Sequence, residues 1–123
     1  MSVLSNVAGL DVEPMARLFR ALGDETRVRI IALLTHGELC VCHIETALGL
    51  SQPTASRQLS TLRAAGVVTR RRDGIWIYYR LADQTDDECR RVIVAIKNFA
   101  AQKTLRKDLD RLRKTTGPAT SCP

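Results

Sequence analysis

A chain of 123 residues with 45% hydrophobic and 26% charged side chains has the size and make-up of one globular domain, too small for separate catalytic and regulatory units. No apolar run approaches the ~20 residues of a membrane span, so no membrane is expected among its partners. The net charge of +6 is unevenly spread: residues 51–80 carry six arginines and one acid, Asp73, whereas residues 1–50 carry four arginines and six acids. An arginine-rich middle is the electrostatic footprint of a surface that meets phosphates.

The opening Met1-Ser2-Val3-Leu4-Ser5-Asn6 has neither the basic region nor the apolar stretch of a secretory signal, so the expected location is the cytoplasm. The four cysteines are then expected as reduced thiols, free to bind metal. The first predicted helix covers Pro14 to Leu22, with Met15, Leu18, Phe19 and Leu22 at helical spacing and Gly23 as its stop. Asp24 can cap a second helix, in which Val28, Ile31 and Leu34 mark one face, Ile30 and Leu33 widen it, and His36-Gly37 closes it. A short third helix runs from Cys42 to Leu48 and breaks at Gly49. Ser51 then caps a fourth from Gln52 to Ala65 that stops at Gly66, with Pro53 in the first turn, where no amide bond is lost.

A short apolar helix, a glycine-containing turn and a helix with a polar N-terminal half form a helix-turn-helix. The second of these helices presents Gln52, Thr54, Ser56, Arg57 and Gln58, with Ala55, Leu59 and Leu62 inward. Glutamine and arginine bond bidentately to adenine and guanine edges, and serine and threonine reach bases or phosphates, so double-stranded DNA is the expected partner. Val67 to Leu81 then changes to strand character around Asp73-Gly74, a hairpin-turn signal, and this wing carries Arg70, Arg71 and Arg72 for phosphate or minor-groove contact. Trp76 and Tyr78 share a face of the hairpin and are expected to pack.

The last helix opens with the capping-box pattern Thr85-Asp86-Asp87-Glu88. Its apolar stripe runs through Cys89, Val92, Ile93, Ile96 and Phe99 and on to Leu105, Leu109 and Leu112, longer than one small core absorbs. A homodimer built on this helix and the first one is therefore expected. The fold class is α+β, mainly α: a winged helix-turn-helix with terminal dimerisation helices, one domain over residues 1–114 and a flexible tail over 115–123.

Four stretches, Leu22-Gly23-Asp24-Glu25-Thr26-Arg27, Gly37-Glu38-Leu39-Cys40-Val41-Cys42, Ser51 through Leu59, and Gly74 through Leu81, strongly resemble the ArsR/SmtB family over roughly residues 12–100. The resemblance implies a dimeric winged-helix repressor that holds its operator when metal-free and releases it when metal binds. The Glu-Leu-Cys-Val-Cys motif resembles the arsenic- and antimony-responsive branch, implying As(III) or Sb(III) as inducer and no organic cofactor. Lead and cadmium sensors share a similar motif, so a repressor responding to divalent cadmium, lead or zinc is the alternative.

The residues themselves agree with a thiolate site. Cys40 and Cys42 converge on one ion only if the first precedes the helix and the second lies in its first turn, where helix N-termini stabilise thiolates. Thiolates select soft ions. Members with this motif often add a cysteine three residues after the second, and this chain has Glu45 there. The third ligand is then Cys122 folding back from the tail, Cys89, or a small-molecule thiol or water. His43 and His36 are expected as surface residues near helix ends. An enzyme is not expected: no nucleophile-base pair, phosphate loop or paired carboxylate is present, and the dithiol lacks the Cys-X-X-Cys spacing of thiol-disulfide exchange.

Overall fold

The computed structural model describes residues 12–83, 87–99 and 102–115. Helix α1 (Val12–Leu22) is followed by α2 (Glu25–Leu34), whose N-cap Asp24 accepts a bond from the Arg27 amide at 3.1 Å. A two-residue strand β1 (Leu39–Cys40) leads directly into α3 (Val41–Leu48). Gly49 adopts φ +66°, the left-handed conformation that ends a helix without a Cβ clash, and its neighbour Leu50 donates back to the Glu45 carbonyl at 2.9 Å. Helix α4 (Gln52–Ala64) starts two residues later under the Ser51 cap.

Strands β2 (Val68–Asp73) and β3 (Trp76–Leu81) form an antiparallel hairpin, and β1 adds to the other side of β3, giving the order β1-β3-β2. Asp73 pairs with Trp76, so the loop residues are Gly74 and Ile75 rather than the expected Asp73 and Gly74. Gly74 takes φ +64° and Ile75 a negative φ, the glycine-first form of a two-residue hairpin turn, which leaves Ile75 83% exposed. The arrangement is a winged helix-turn-helix. Its core gathers Ile30, Ile31 and Leu33 of α2, Ile44 and Ala47 of α3, Leu59 and Leu62 of α4, and Val67, Val68 and Tyr79.

The long apolar stripe of the C-terminal half divides between two helices, α5 (Asp87–Asn98) and α6 (Lys103–Thr115), where one continuous helix is expected from the sequence. Helix α6 folds back along α3 and α2 and buries Leu105 and Leu112 in the core of its own chain. Thr85 and Asp86 of the expected capping box lie outside the described residues, as does the tail from 116 to 123. The expected boundary after residue 114 falls in the last turn of α6. No helix among the described residues is long and apolar enough to cross a membrane.

What fixes α6 is an ion pair as well as leucines. Asp108 is 1% exposed and accepts two bonds from the Arg29 guanidinium of α2, both at 2.8 Å. The carboxylate holds the Arg29 pKa above its ordinary value, chiefly through these bonds. Removing one partner of such a pair strands a buried charge. Asp108→Ala is expected to lower the unfolding free energy by about 2–3 kcal/mol in urea titration, less than for a fully enclosed pair because Arg29 keeps some solvent contact. A change below about 0.5 kcal/mol, the range of neutral surface substitutions, would remove the pair from the account of α6 docking.

Candidate metal and nucleic-acid site

The chain enters α3 in extended conformation, with Cys40 as N-cap residue at φ −66° and ψ 142°. Pairing of β1 with β3 sets Leu39 opposite Tyr79 and Cys40 opposite Tyr78. Cys40 is consequently buried, 1% exposed, while Cys42, the second residue of α3, is half-buried. Their Sγ atoms lie 3.0 Å apart, so two soft donors face one another at a helix N-terminus. Among the described residues no third His, Cys, Asp or Glu gathers with them. Cys89 sits half-buried on α5, and Cys122 lies outside the described residues.

His43, expected at the surface, is half-buried, because only Thr46 of α3 stays exposed once α6 packs along it. Its Nε2 has no hydrogen-bond partner among the described residues, and burial pushes its pKa below the ordinary imidazole value. Burial also pushes the Glu45 carboxyl up. Neither residue joins the cysteine pair into a larger cluster.

On α4, Gln52, Ser56 and Arg57 are exposed and Thr54 is half-buried, its hydroxyl accepting from Ser51 at 3.0 Å. Gln58 departs from the expectation of a base reader. It is half-buried, and its Oε1 accepts from Arg27 at 2.8 Å, while the same guanidinium donates to the carbonyls of Ala21 and Arg20 at the end of α1. Arg27 thereby ties α1, α2 and α4 together, and Gln58 positions its helix.

The wing arginines also divide. Arg70 and Arg72 are exposed on β2. Arg71 instead grips Glu38 with a fork of bonds, Nη2 at 2.6 Å and Nε at 2.9 Å, and lies 4.5 Å above the Tyr78 ring. Glu38 immediately precedes β1, so this pair joins the wing to the strand that carries Cys40. Sequence patterning could not reveal it, since the partners are 33 positions apart. Bidentate arginine–carboxylate geometry and a cation over an aromatic face each add directionality to an otherwise exposed pair.

Hydrogen bonding from Arg71 holds the Glu38 carboxyl below the usual carboxylate range. A depressed carboxylate pKa contributes stability that is present above the unfolded value of about 4.3 and lost as pH falls through the folded value. In an NMR pH titration, Glu38 is expected to titrate below that reference and Arg71→Gln to return it there. An ordinary Glu38 titration in the unsubstituted protein would remove the pair from solution.

Residues 24–70 match the family model described as bacterial regulatory protein, arsR family. The chain is 52% identical over 65 residues to the arsenic resistance transcriptional regulator ArsR1 of Pseudomonas putida, covering 52% of this chain and 51% of that one. It is 43% identical over 72 residues to an uncharacterized HTH-type transcriptional regulator of Methanocaldococcus jannaschii, covering 58% of this chain and 81% of that one. Similarity extends to a cadmium resistance regulatory protein CadC homolog of Staphylococcus aureus, 41% identical over 71 residues, with coverage of 57% and 59%. Thus the chain spans about half the length of the arsenic-resistance relative it matches. Among solved structures, HlyU of Vibrio cholerae superposes with TM-score 0.66 at 28% identity, covering 73% of this chain and 95% of that one. A homodimeric winged helix-turn-helix domain of Mycobacterium bovis, described as a possible ArsR-family regulator, superposes with TM-score 0.63 at 35% identity, covering 72% and 80%.

Proposed function

Because the chain belongs to the arsR family of bacterial regulatory proteins, we propose that it is a homodimeric repressor of a metalloid-resistance operon, released from its operator when As(III) or Sb(III) binds Cys40 and Cys42. The observation that carries this reading is the facing pair of sulfurs, 3.0 Å apart, at the start of the helix-turn-helix. Their donor chemistry fits a soft, thiophilic ion and is poorly matched to magnesium or calcium.

The dimer follows from what α1 and α5 leave uncovered. Val12, Met15 and Phe19 on α1 and Val94 and Phe99 near α5 are large apolar side chains in solvent, Phe19 and Phe99 at 55% and 56% exposure. Contact between these faces in a two-fold dimer presents two α4 helices to successive major grooves, ~34 Å apart. Gln52, Thr54, Ser56 and Arg57 then face base edges and phosphates, Arg70 and Arg72 of the wing meet the backbone, and Gln58 and Arg71 position those elements.

Ion binding acts at two points. Seating an ion between sulfurs only 3.0 Å apart spreads them and displaces the first turn of α3, which sets the turn before α4, and β1, which is hydrogen-bonded to the wing. Release requires that the ion bind the DNA-free arrangement more tightly, since equal affinity for both shifts nothing. Cys122, outside the described residues, is our candidate for a third thiolate, with Cys89 of α5 or an exogenous thiol or water as the alternatives. A divalent ion is the second reading, supported by the similarity to a cadmium regulator. Release at lower cadmium than arsenite would exchange the inducer and keep the mechanism.

Cys40→Ser with Cys42→Ser is expected to bind operator within about threefold of the unsubstituted protein and to ignore arsenite in a fluorescence-anisotropy release assay. Cys122→Ser is expected to lower sulfur coordination around bound arsenic, read by X-ray absorption. Arsenite release by the double variant would overturn the site, and unchanged sulfur coordination in Cys122→Ser would exclude Cys122 and leave the third position to Cys89 or an exogenous thiol. On the DNA side, Arg57→Ala is expected to weaken operator binding by about 1–3 kcal/mol, about 5- to 150-fold, and to relax sequence preference. Unaltered affinity and preference would refute the proposed reading face.

A further inference from the structure

We infer that α6 is a second DNA-contacting element, which binds the phosphate backbone of the operator beside the groove read by α4. The inference rests on the DNA-binding reading above and extends it to a helix outside the 24–70 stretch that the family model matches. Leu105, Asp108 and Leu112 occupy the buried face of α6, with Leu109 partly covered. The opposite face carries Lys103, Lys107, Arg111 and Lys114 at positions i, i+4, i+8 and i+11, a single row along the helix, flanked by Arg106 and Arg113. All six are exposed, and the acid that shares their face is Asp110. The helix's other acid, Asp108, is buried and already neutralised by Arg29, so it does not offset the row.

A helix stabilised only by surface charge places opposite signs three or four residues apart. Lys103, Lys107, Arg111 and Lys114 instead repeat one sign, and the single exposed acid within reach, Asp110, offsets only part of six cations, an excess that a polyanion would relieve. Its place in the fold names the polyanion. Arg111 donates from Nη1 to the Ala47 carbonyl at 3.3 Å, near the end of α3. Gly49 ends that helix and Gln52 begins α4, so the C-terminal half of α6 lies near the helix-turn-helix turn at Arg111. In this motif the first helix crosses the DNA backbone while the second enters the groove. A basic helix packed along the first one therefore faces phosphates flanking the bases being read, and contributes affinity and register without sequence information.

The test is a salt titration of operator affinity for full-length protein carrying Lys103→Gln, Lys107→Gln, Arg113→Gln and Lys114→Gln. Glutamine keeps helix propensity at these exposed positions, and circular dichroism with urea melting checks the fold. The slope of log affinity against log salt is expected to shrink by ~0.9 for each phosphate that is no longer neutralised, so by ~2 or more in total, while the ratio of operator to random-sequence affinity stays constant. Trimming the operator ends is expected to weaken the unsubstituted protein and leave the variant unaffected. An unchanged slope, with operator binding intact in both proteins, would overturn the role of α6 alone. Failure of the unsubstituted protein to bind any operator fragment would overturn the DNA reading beneath it.

Discussion

Leu39 and Cys40 pair with Tyr79 and Tyr78, and this two-residue strand is the constraint on which the remaining geometry turns. An extended segment hydrogen-bonded to β3 cannot also be helical, so α3 starts only at Val41, and Cys40 becomes its N-cap. That boundary brings the two sulfurs of a Cys-X-Cys motif to the same side of the chain. Were α3 one turn longer at its N-terminus, residues 40 and 42 would project about 200° apart around the helix and could not face each other. The same pairing makes the wing a neighbour of the thiols, and the Arg71–Glu38 fork fastens that junction from the solvent side. The thiol pair and the wing share one three-stranded sheet, joined through β3.

Around this frame the charged residues do two kinds of work, separated by whether they have a partner within the protein. Arg27, Arg29 and Arg71 spend their guanidinium bonds within the protein, on Gln58, Asp108 and Glu38 respectively. They orient helices and strands, and the planar fork of arginine suits that task better than an ammonium. Arg57, Arg70 and Arg72 are left in solvent, on the two elements that approach a duplex in a winged helix-turn-helix. Counting arginines therefore overstates the charge offered to DNA in the middle of the chain and, with Asp108 buried, understates the charge offered by α6.

The helix-turn-helix was legible because its punctuation is local. Gly49 supplies a positive φ, Ser51 caps α4 through the Thr54 amide, and Pro53 sits where no amide bond is lost. Local signals mislead where two readings share one signature. Asp-Gly suggested a turn one residue early, and pairing of Asp73 with Trp76 moved the loop to Gly74-Ile75. The division between α5 and α6 was hidden because leucines continue the apolar stripe past it, with no proline or glycine to mark the break. A two-residue strand has no period to detect, so β1 could not be read at all. The same holds for Arg27–Gln58 and Arg29–Asp108, whose partners stand 31 and 79 positions apart.

On the proposed reading, the placement of the thiols also governs how an inducer would compete with DNA. Cys40 is enclosed by β1–β3 pairing while Cys42 is only half-covered, so an ion bound as proposed would meet Cys42 first and have to loosen the start of α3 or the strand edge to engage Cys40 fully. DNA binding demands the opposite, since α4 and the wing read one duplex only while the α3 turn and β3 keep their relative positions. In that proposal the two ligands oppose one another through the same few backbone bonds, without a relay across the domain. A coupling of 1–3 kcal/mol, about 5- to 150-fold in affinity, is the usual range for such linkage. Loss of one short strand pair and strain in one helical turn are of that order, so a two-residue strand is large enough to carry the proposed switch.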